Sequence, residues 1–282
     1  RALRGRVNEA FGEERPIRVM EVCGTHTMAV GRYGLRRRLP DGLRLISGPG
    51  CPVCVTDGGY LETALELAQR GVGIATFGDL LQVPTAGGDS LAACRARGGR
   101  VQVCYSPLDA LRAAATEPDR EWVFLAIGFE TTMAPVLAAL ERARATGLRN
   151  FSLLVAFKRV LPAMEAVLAD GRAALDGFLC PPHVSTVLGA SAYRPIAERY
   201  RRPCVVAGFE PLDILAALVE LVDMLATGRA EVRNEYSRVV TERGNARAQR
   251  LIETWLEPCT ARWRGLGELP ESGYRLRSDY AA

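Results

Sequence analysis

Lysine is all but absent from this chain. Lys158 is the only one among 36 lysine and arginine residues, and His26 and His183 are the only histidines. No apolar run approaches the roughly 20 residues that a bilayer-spanning helix needs. No stretch with signal-peptide character precedes the first strand-like run. The sequence holds no GxxxxGK[ST] loop, which excludes the usual cradle for a triphosphate, and no GxSxG elbow for a serine nucleophile. The glycines of "GVGIATFG" (71–78) precede and interrupt a strand-like run instead of opening a helix, so a dinucleotide fingerprint is not supported. A CxxC pair occurs at Cys51 and Cys54, but no second pair accompanies it, and a structural zinc site wants four ligands.

What is present is a chain of 282 residues, 48% hydrophobic, with a net charge of +4. That is enough for a folded core, and two domains are expected. The arginine bias reads as genome composition. The one dense basic tract, "GRYGLRRRLP" (31–40), reads as a solvated helix face, with a patch for nucleic acid or another anionic partner as the alternative. Neither nucleic acid nor a membrane is expected as a partner. Most of the eight cysteines lie in apolar, strand-like runs such as "VQVCYS", "GFLCPP" and "RPCVVAG". The expectation is a cytoplasmic protein whose cysteines are mostly reduced.

One pattern recurs. A short run rich in Val, Ile, Leu and Phe leads into Gly or Pro and then into a segment of helical period. Eight such runs stand at 17–24, 43–50, 73–79, 100–107, 121–130, 150–157, 176–182 and 202–210. Continuous apolar strands alternating with helices predict parallel sheets covered on both faces. The fold class expected is α/β, with two similar parallel-sheet halves facing a central cleft and a helical C-terminal extension. Taken in chain order, the domains expected are residues 1–118, 119–210 and 211–282, the last opening with one long apolar helix. In such sheets ligands sit at the carboxyl ends of the strands. Five strand ends carry polar or thiol residues that packing does not require: 23–27 (CGTHT), 50–54 (GCPVC), 128–132 (GFETT), 180–183 (CPPH) and 208–211 (GFEP).

Cys51 and Cys54 are spaced to close a disulfide or to bind one metal from a single turn. Thiol redox work, a metal site and two small core cysteines are the readings open, and the Gly-Pro-Gly before the pair marks an exposed turn. Cys23 and His26 place a soft sulfur and an imidazole on one loop, suited to a transition metal such as iron. A buried cysteine with a capping histidine and a Cys/His nucleophilic dyad are the other readings. Thr25 and Thr27 are placed to orient ligands through their hydroxyls. Glu130 and Glu210 follow Gly-Phe at what read as corresponding strand ends. Each is either a helix N-cap neighbour or a proton-handling group in the cleft, and His183 divides in a similar way.

Together "EVCGTHT", "GPGCPVCVT", "IGFETT", "PPHVSTVLG" and "AGFEPLDIL" resemble, in order and over nearly the whole chain, the signature blocks of the HypD family of hydrogenase maturation factors. The resemblance implies a scaffold on which the Fe(CN)₂CO unit of [NiFe]-hydrogenase is assembled. Its expected partners are a HypC-type small chaperone and a HypE-type cyanide donor. It implies that Cys23 is a thiol of the iron site or of the interface with the HypC-type chaperone, that Cys51 and Cys54 form a redox pair, and that Cys54 also binds iron. His26 and Glu130 would act beside them, with Thr25, Thr27, Thr131, Thr132, His183 and Glu210 lining the site. A [4Fe–4S] cluster is also expected of the family, bound by a cysteine-rich segment that follows the region of "SGYRLRSDY". Cys259 is the only cysteine in the tail here, whereas a cluster takes four.

Overall fold

All eight apolar runs become strands in the computed structural model, which describes residues 3, 5–7 and 16–280. They are β1 (Ile17–Glu21), β2 (Leu43–Ser47), β3 (Gly73–Thr76), β4 (Val101–Val103), β5 (Trp122–Gly128), β6 (Phe151–Lys158), β7 (Gly177–Cys180) and β8 (Cys204–Val206). Three more lie in the tail: β9 (Val232–Asn234), β10 (Leu256–Trp263) and β11 (Gly267–Leu276).

The strands form two sheets. One has the order β2-β1-β7-β8-β9, with every neighbouring pair parallel. The other has the order β10-β11-β6-β5-β3-β4, parallel from β6 to β4 and antiparallel where β11 joins β6 and β10 joins β11. The runs β2-β1-β7-β8 and β4-β3-β5-β6 have the same order and the same parallel sense. The fold is therefore α/β, with two similar halves dominated by parallel sheet.

The halves do not follow the chain order expected from the sequence. One compact unit comprises residues 1–51 and 160–247, the other residues 52–159 and 248–282. The divisions fall at 51/52, 159/160 and 247/248 instead of at 118 and 210. The cause is strand pairing: β7 adds to β1, not to β6, and the tail hairpin adds to β6. The tail also differs from the helical extension expected. The helix Pro211–Ala226 forms as the sequence indicates, but beyond it come β9, one helix (Ala246–Trp255) and the β10–β11 hairpin. Between its buried ends β10 alternates half-buried and exposed positions without an apolar run, and Pro258 and Pro270 hide the strand character of the hairpin.

Helix Pro211–Ala226 shows why the first unit holds together. Proline at its first position presets the backbone. Ile214, Ala217, Leu218, Leu221 and Val222 recur at helical spacing, and all are buried with Val19, Leu45, Leu179 and Val205 of the sheet in one core. Each such aliphatic side chain contributes about 1.5–3 kcal/mol when fully buried. The second unit has its own core, in which Leu61, Leu65 and Ala68 of the helix Gly58–Gln69 pack with Ile74, Leu125 and Ile127 of the sheet.

Candidate functional site

In the first unit the chain runs outward from β1 to β2 on one side and from β7 to β8 on the other. The strand order reverses between β1 and β7, and such a reversal opens a crevice at the carboxyl ends of the two strands. Cys23 follows β1, and Cys180-Pro181-Pro182-His183 follows β7. Cys23 takes an extended conformation as the N-cap of the helix Gly24–Arg32.

Because β1 and β2 are parallel neighbours, the loops that leave them run side by side. The amide of Gly48 donates to the Glu21 carbonyl (2.9 Å), and that of Gly24 donates to the Gly50 carbonyl (3.0 Å). The approach requires glycine at position 50, where a Cβ would stand 2.5 Å from the Cys23 nitrogen. A Cβ on Gly24 would make only an ordinary contact, 3.7 Å from the Cys51 Cβ. The Gly-Pro-Gly turn thus lays Cys51 beside the start of the Cys23 helix.

Cys51 and Cys54 are joined as a disulfide, while Cys23 and the other cysteines are free thiols. Cys51 is half-buried and Cys54 exposed. The short turn Pro52–Val55 that carries Cys54 closes on itself, the Thr56 hydroxyl donating to the Pro52 carbonyl (2.7 Å). Cys23 is buried. The amides of Thr25 and His26 and the Thr25 hydroxyl face its sulfur and favour the thiolate, but burial outweighs them and its pKa is raised. Burial therefore holds Cys23 as a protonated thiol.

His26 is fully buried. Its Nε2 lies 3.0 Å from the Gly208 carbonyl and 3.2 Å from that of Ala207, so Nε2 carries the proton and donates. Nδ1 is buried and has no partner. Burial, aided by the neighbouring His183, lowers the pKa to about 4, so the ring is neutral. His26 clasps the CGTHT loop to the loop after β8. Phe209 of that loop lies 5.1 Å from the His26 ring and 4.4 Å from the His183 ring, centroid to centroid. His183 is exposed at the start of the helix Pro182–Leu188, and Glu210 is exposed as the N-cap of the helix Pro211–Ala226. Thr25 is exposed, and the Thr27 hydroxyl turns back to the Cys23 carbonyl (3.4 Å).

Three residues beneath the loop went unnoticed in the sequence. The carboxyl of Glu21 is fully buried, and its Oε1 accepts from Arg36 Nη2 (2.7 Å) and Ser47 Oγ (2.9 Å). Burial raises its pKa against both partners. Arg36 belongs to the basic tract read as a solvated face, yet it reaches inward and ties the ends of β1 and β2. A lone carboxylate inside the apolar run "IRVMEVCG" was the available signal.

Glu130, Thr131 and Thr132 lie in the second unit and open the helix Glu130–Ala145, with Phe129 as N-cap. Glu130 is buried. The two Gly-Phe-Glu sequences are not at equivalent places. β5, before Glu130, matches β7 in strand order, whereas Glu210 follows β8.

Among the described residues no three Asp, Glu, His or Cys side chains gather as a ready metal site. The four-thiolate set of a [4Fe–4S] cluster is not assembled by them, and Cys259 stands on β10. Among the described residues no helix is long and apolar enough to cross a membrane.

These features define an α/β protein with a buried thiol and a CxxC disulfide on abutting loops at a sheet's switch point. The HypD family model, described as the hydrogenase formation hypA family, matches residues 1–282. The hydrogenase maturation factor HypD of Azotobacter vinelandii is 48% identical, the match covering 100% of this chain and 76% of that protein. The hydrogenase expression/formation protein HupD of Azotobacter chroococcum is 46% identical, with the same coverage. HypD of Escherichia coli K12 is 42% identical over 96% of this chain and 73% of that protein. The chain belongs to the HypD family of hydrogenase maturation factors.

Proposed function

We propose that this chain is a scaffold for assembling the Fe(CN)₂CO unit of [NiFe]-hydrogenase, with the iron as cargo held by the thiolates of Cys23 and Cys54. The observation that carries the reading is the abutment of the Cys23 and Gly50-Cys51 loops, where a Cβ on Gly50 would overlap the Cys23 backbone and the Gly24 amide donates to the Gly50 carbonyl. Thiolates are soft donors suited to a low-spin iron that takes cyanide and carbon monoxide. Iron displaces the proton that burial keeps on Cys23.

Cys54 becomes available when the disulfide is reduced. When Cys51 and Cys54 close again, the dithiol yields two electrons and two protons, which serves a reductive ligand-loading step. The neutral His26 positions the Cys23 loop and does not offer Nε2 to the metal. By the family resemblance, exposed His183, Thr25 and Glu210 are assigned to the lining of the site, and the buried Glu130 with Thr131 and Thr132 is assigned proton handling. A HypC-type chaperone and a HypE-type cyanide donor are the partners proposed. The free thiols support a cytoplasmic setting.

Complementation of a strain lacking its own HypD tests this. Cys23→Ala and Cys54→Ala are expected to abolish hydrogenase maturation, and wild-type maturation with either variant would sink the proposal. The formed disulfide favours one other reading, a general thiol–disulfide oxidoreductase. That reading requires insulin reduction that survives Cys23→Ala.

A further inference from the structure

Glu21 ends β1 and stands in register with Ser47, which ends β2. Beyond this pair the chain leaves both strands, toward Cys23 on one side and toward Gly50 and Cys51 on the other. At this last shared step the fully buried Glu21 carboxyl ties the strands through Oε1, which accepts from Ser47 Oγ (2.9 Å) and Arg36 Nη2 (2.7 Å). Arg36 completes the tie: Nη2 also donates to Ser47 Oγ (2.9 Å), and Nη1 donates to the Leu45 carbonyl of β2 (3.2 Å).

The tie continues into the two loops. The Gly48 amide donates to the Glu21 carbonyl (2.9 Å), and the Gly24 amide donates to the Gly50 carbonyl (3.0 Å). Thr27, whose hydroxyl turns back to the Cys23 carbonyl (3.4 Å), neighbours the same carboxyl. A change in the spacing of β1 and β2 at Glu21 therefore passes directly to the spacing of Cys23 and Cys51. Stability is a poor reason for such a group. Glu21 Oε2 is buried with no hydrogen-bond partner, and apolar side chains of similar volume often serve stability as well as a buried ion pair does. What a carboxyl and a guanidinium add is fixed geometry.

We propose that Glu21, held by Arg36, is a positioning residue for the thiols: it sets the spacing of the Cys23 and Cys51 loops and so readies Cys23 to take up a metal. This rests on the reading that Cys23 holds iron as cargo. Glu21 touches neither the metal nor a sulfur in this account and acts through the backbone it ties.

The test is anaerobic titration of the whole reduced chain with Co(II), whose thiolate charge-transfer absorption reports bound sulfur, with the melting temperature measured on each variant. The wild type is expected to give the band, and Cys23→Ala is expected to lose it. The double variant Glu21→Leu with Arg36→Met removes the tie and leaves no buried charge behind. It is expected to fold and to bind Co(II) about tenfold more weakly. Glu21→Gln still accepts from Arg36 and Ser47 and is expected to keep the wild-type affinity. A folded double variant with wild-type affinity overturns the inference, and so does Glu21→Gln binding as weakly as the double variant. Loss of fold in the double variant overturns it too, marking a structural pair only. A wild type without the band, or a band that survives Cys23→Ala, overturns the metal reading on which the inference rests, and the inference with it.

Discussion

Burial of a side chain inverts what its residue type suggests, and His26 is the clearest case. Two carbonyls fix its tautomer, and desolvation brings its pKa from 6.5 to about 4. The unfolded chain then takes up the proton first. The stability contributed by the neutral ring is complete above about pH 6.5 and is lost as the pH falls toward 4, by about 3 kcal/mol across that window. Urea midpoints measured at pH 7 and pH 4.5 should show this slope, and His26→Gln should flatten it. An unchanged slope in that variant would contradict the assignment. The same residue shows the limit of what the sequence discloses. Cys-x-x-His was legible as a loop with chemistry, but the carbonyls of Ala207 and Gly208 lie some 180 positions away in the chain. No local pattern announces that they occupy Nε2. Glu21 was in plain sight within an apolar run, and only its buried bond to Arg36 gives it a reason to be there.

The elements that set the site are short, and glycine decides their fit. The Gly48-Pro49-Gly50 turn follows β2 closely enough that its last residue touches the Cys23 backbone. Gly50→Ala places a methyl group where main-chain atoms already stand, and overpacking of this kind costs about 1–3 kcal/mol. It should also push Cys51 away from Cys23. Two readouts check it: the melting temperature, and the yield of a Cys23–Cys51 crosslink with a short bifunctional thiol reagent after reduction. Both should fall, and a wild-type crosslink yield would contradict the contact. All eight apolar strands were legible because a parallel strand buried on both faces reads as a continuous hydrophobic run. β10 and β11 were not, because an antiparallel hairpin with one open face alternates, and its prolines and arginines imitate a loop.

For the whole molecule, connectivity overrides sequence order. Each unit is discontinuous, and the chain passes between them after residues 51, 159 and 247. The disulfide lies at the first of these passages. A fragment of residues 1–118 therefore lacks β7 and β8 for one sheet and β5 and β6 for the other. It is expected to be unfolded by circular dichroism and amide dispersion, and a cooperatively folded fragment would contradict the division. The repeated order of four strands was anticipated as two similar halves, but the sequence pattern carries no information on which strands pair at long range.

Infrared spectroscopy of the chain, purified without oxygen after co-expression with a HypC-type chaperone and the cyanide-supplying factors, tests the central claim most directly. The account predicts bands of iron-bound cyanide and carbon monoxide that disappear in Cys23→Ala. Bands that persist in that variant, or chaperone bound to the wild-type chain with no bands at all, would contradict the claim that these thiols hold the iron during assembly.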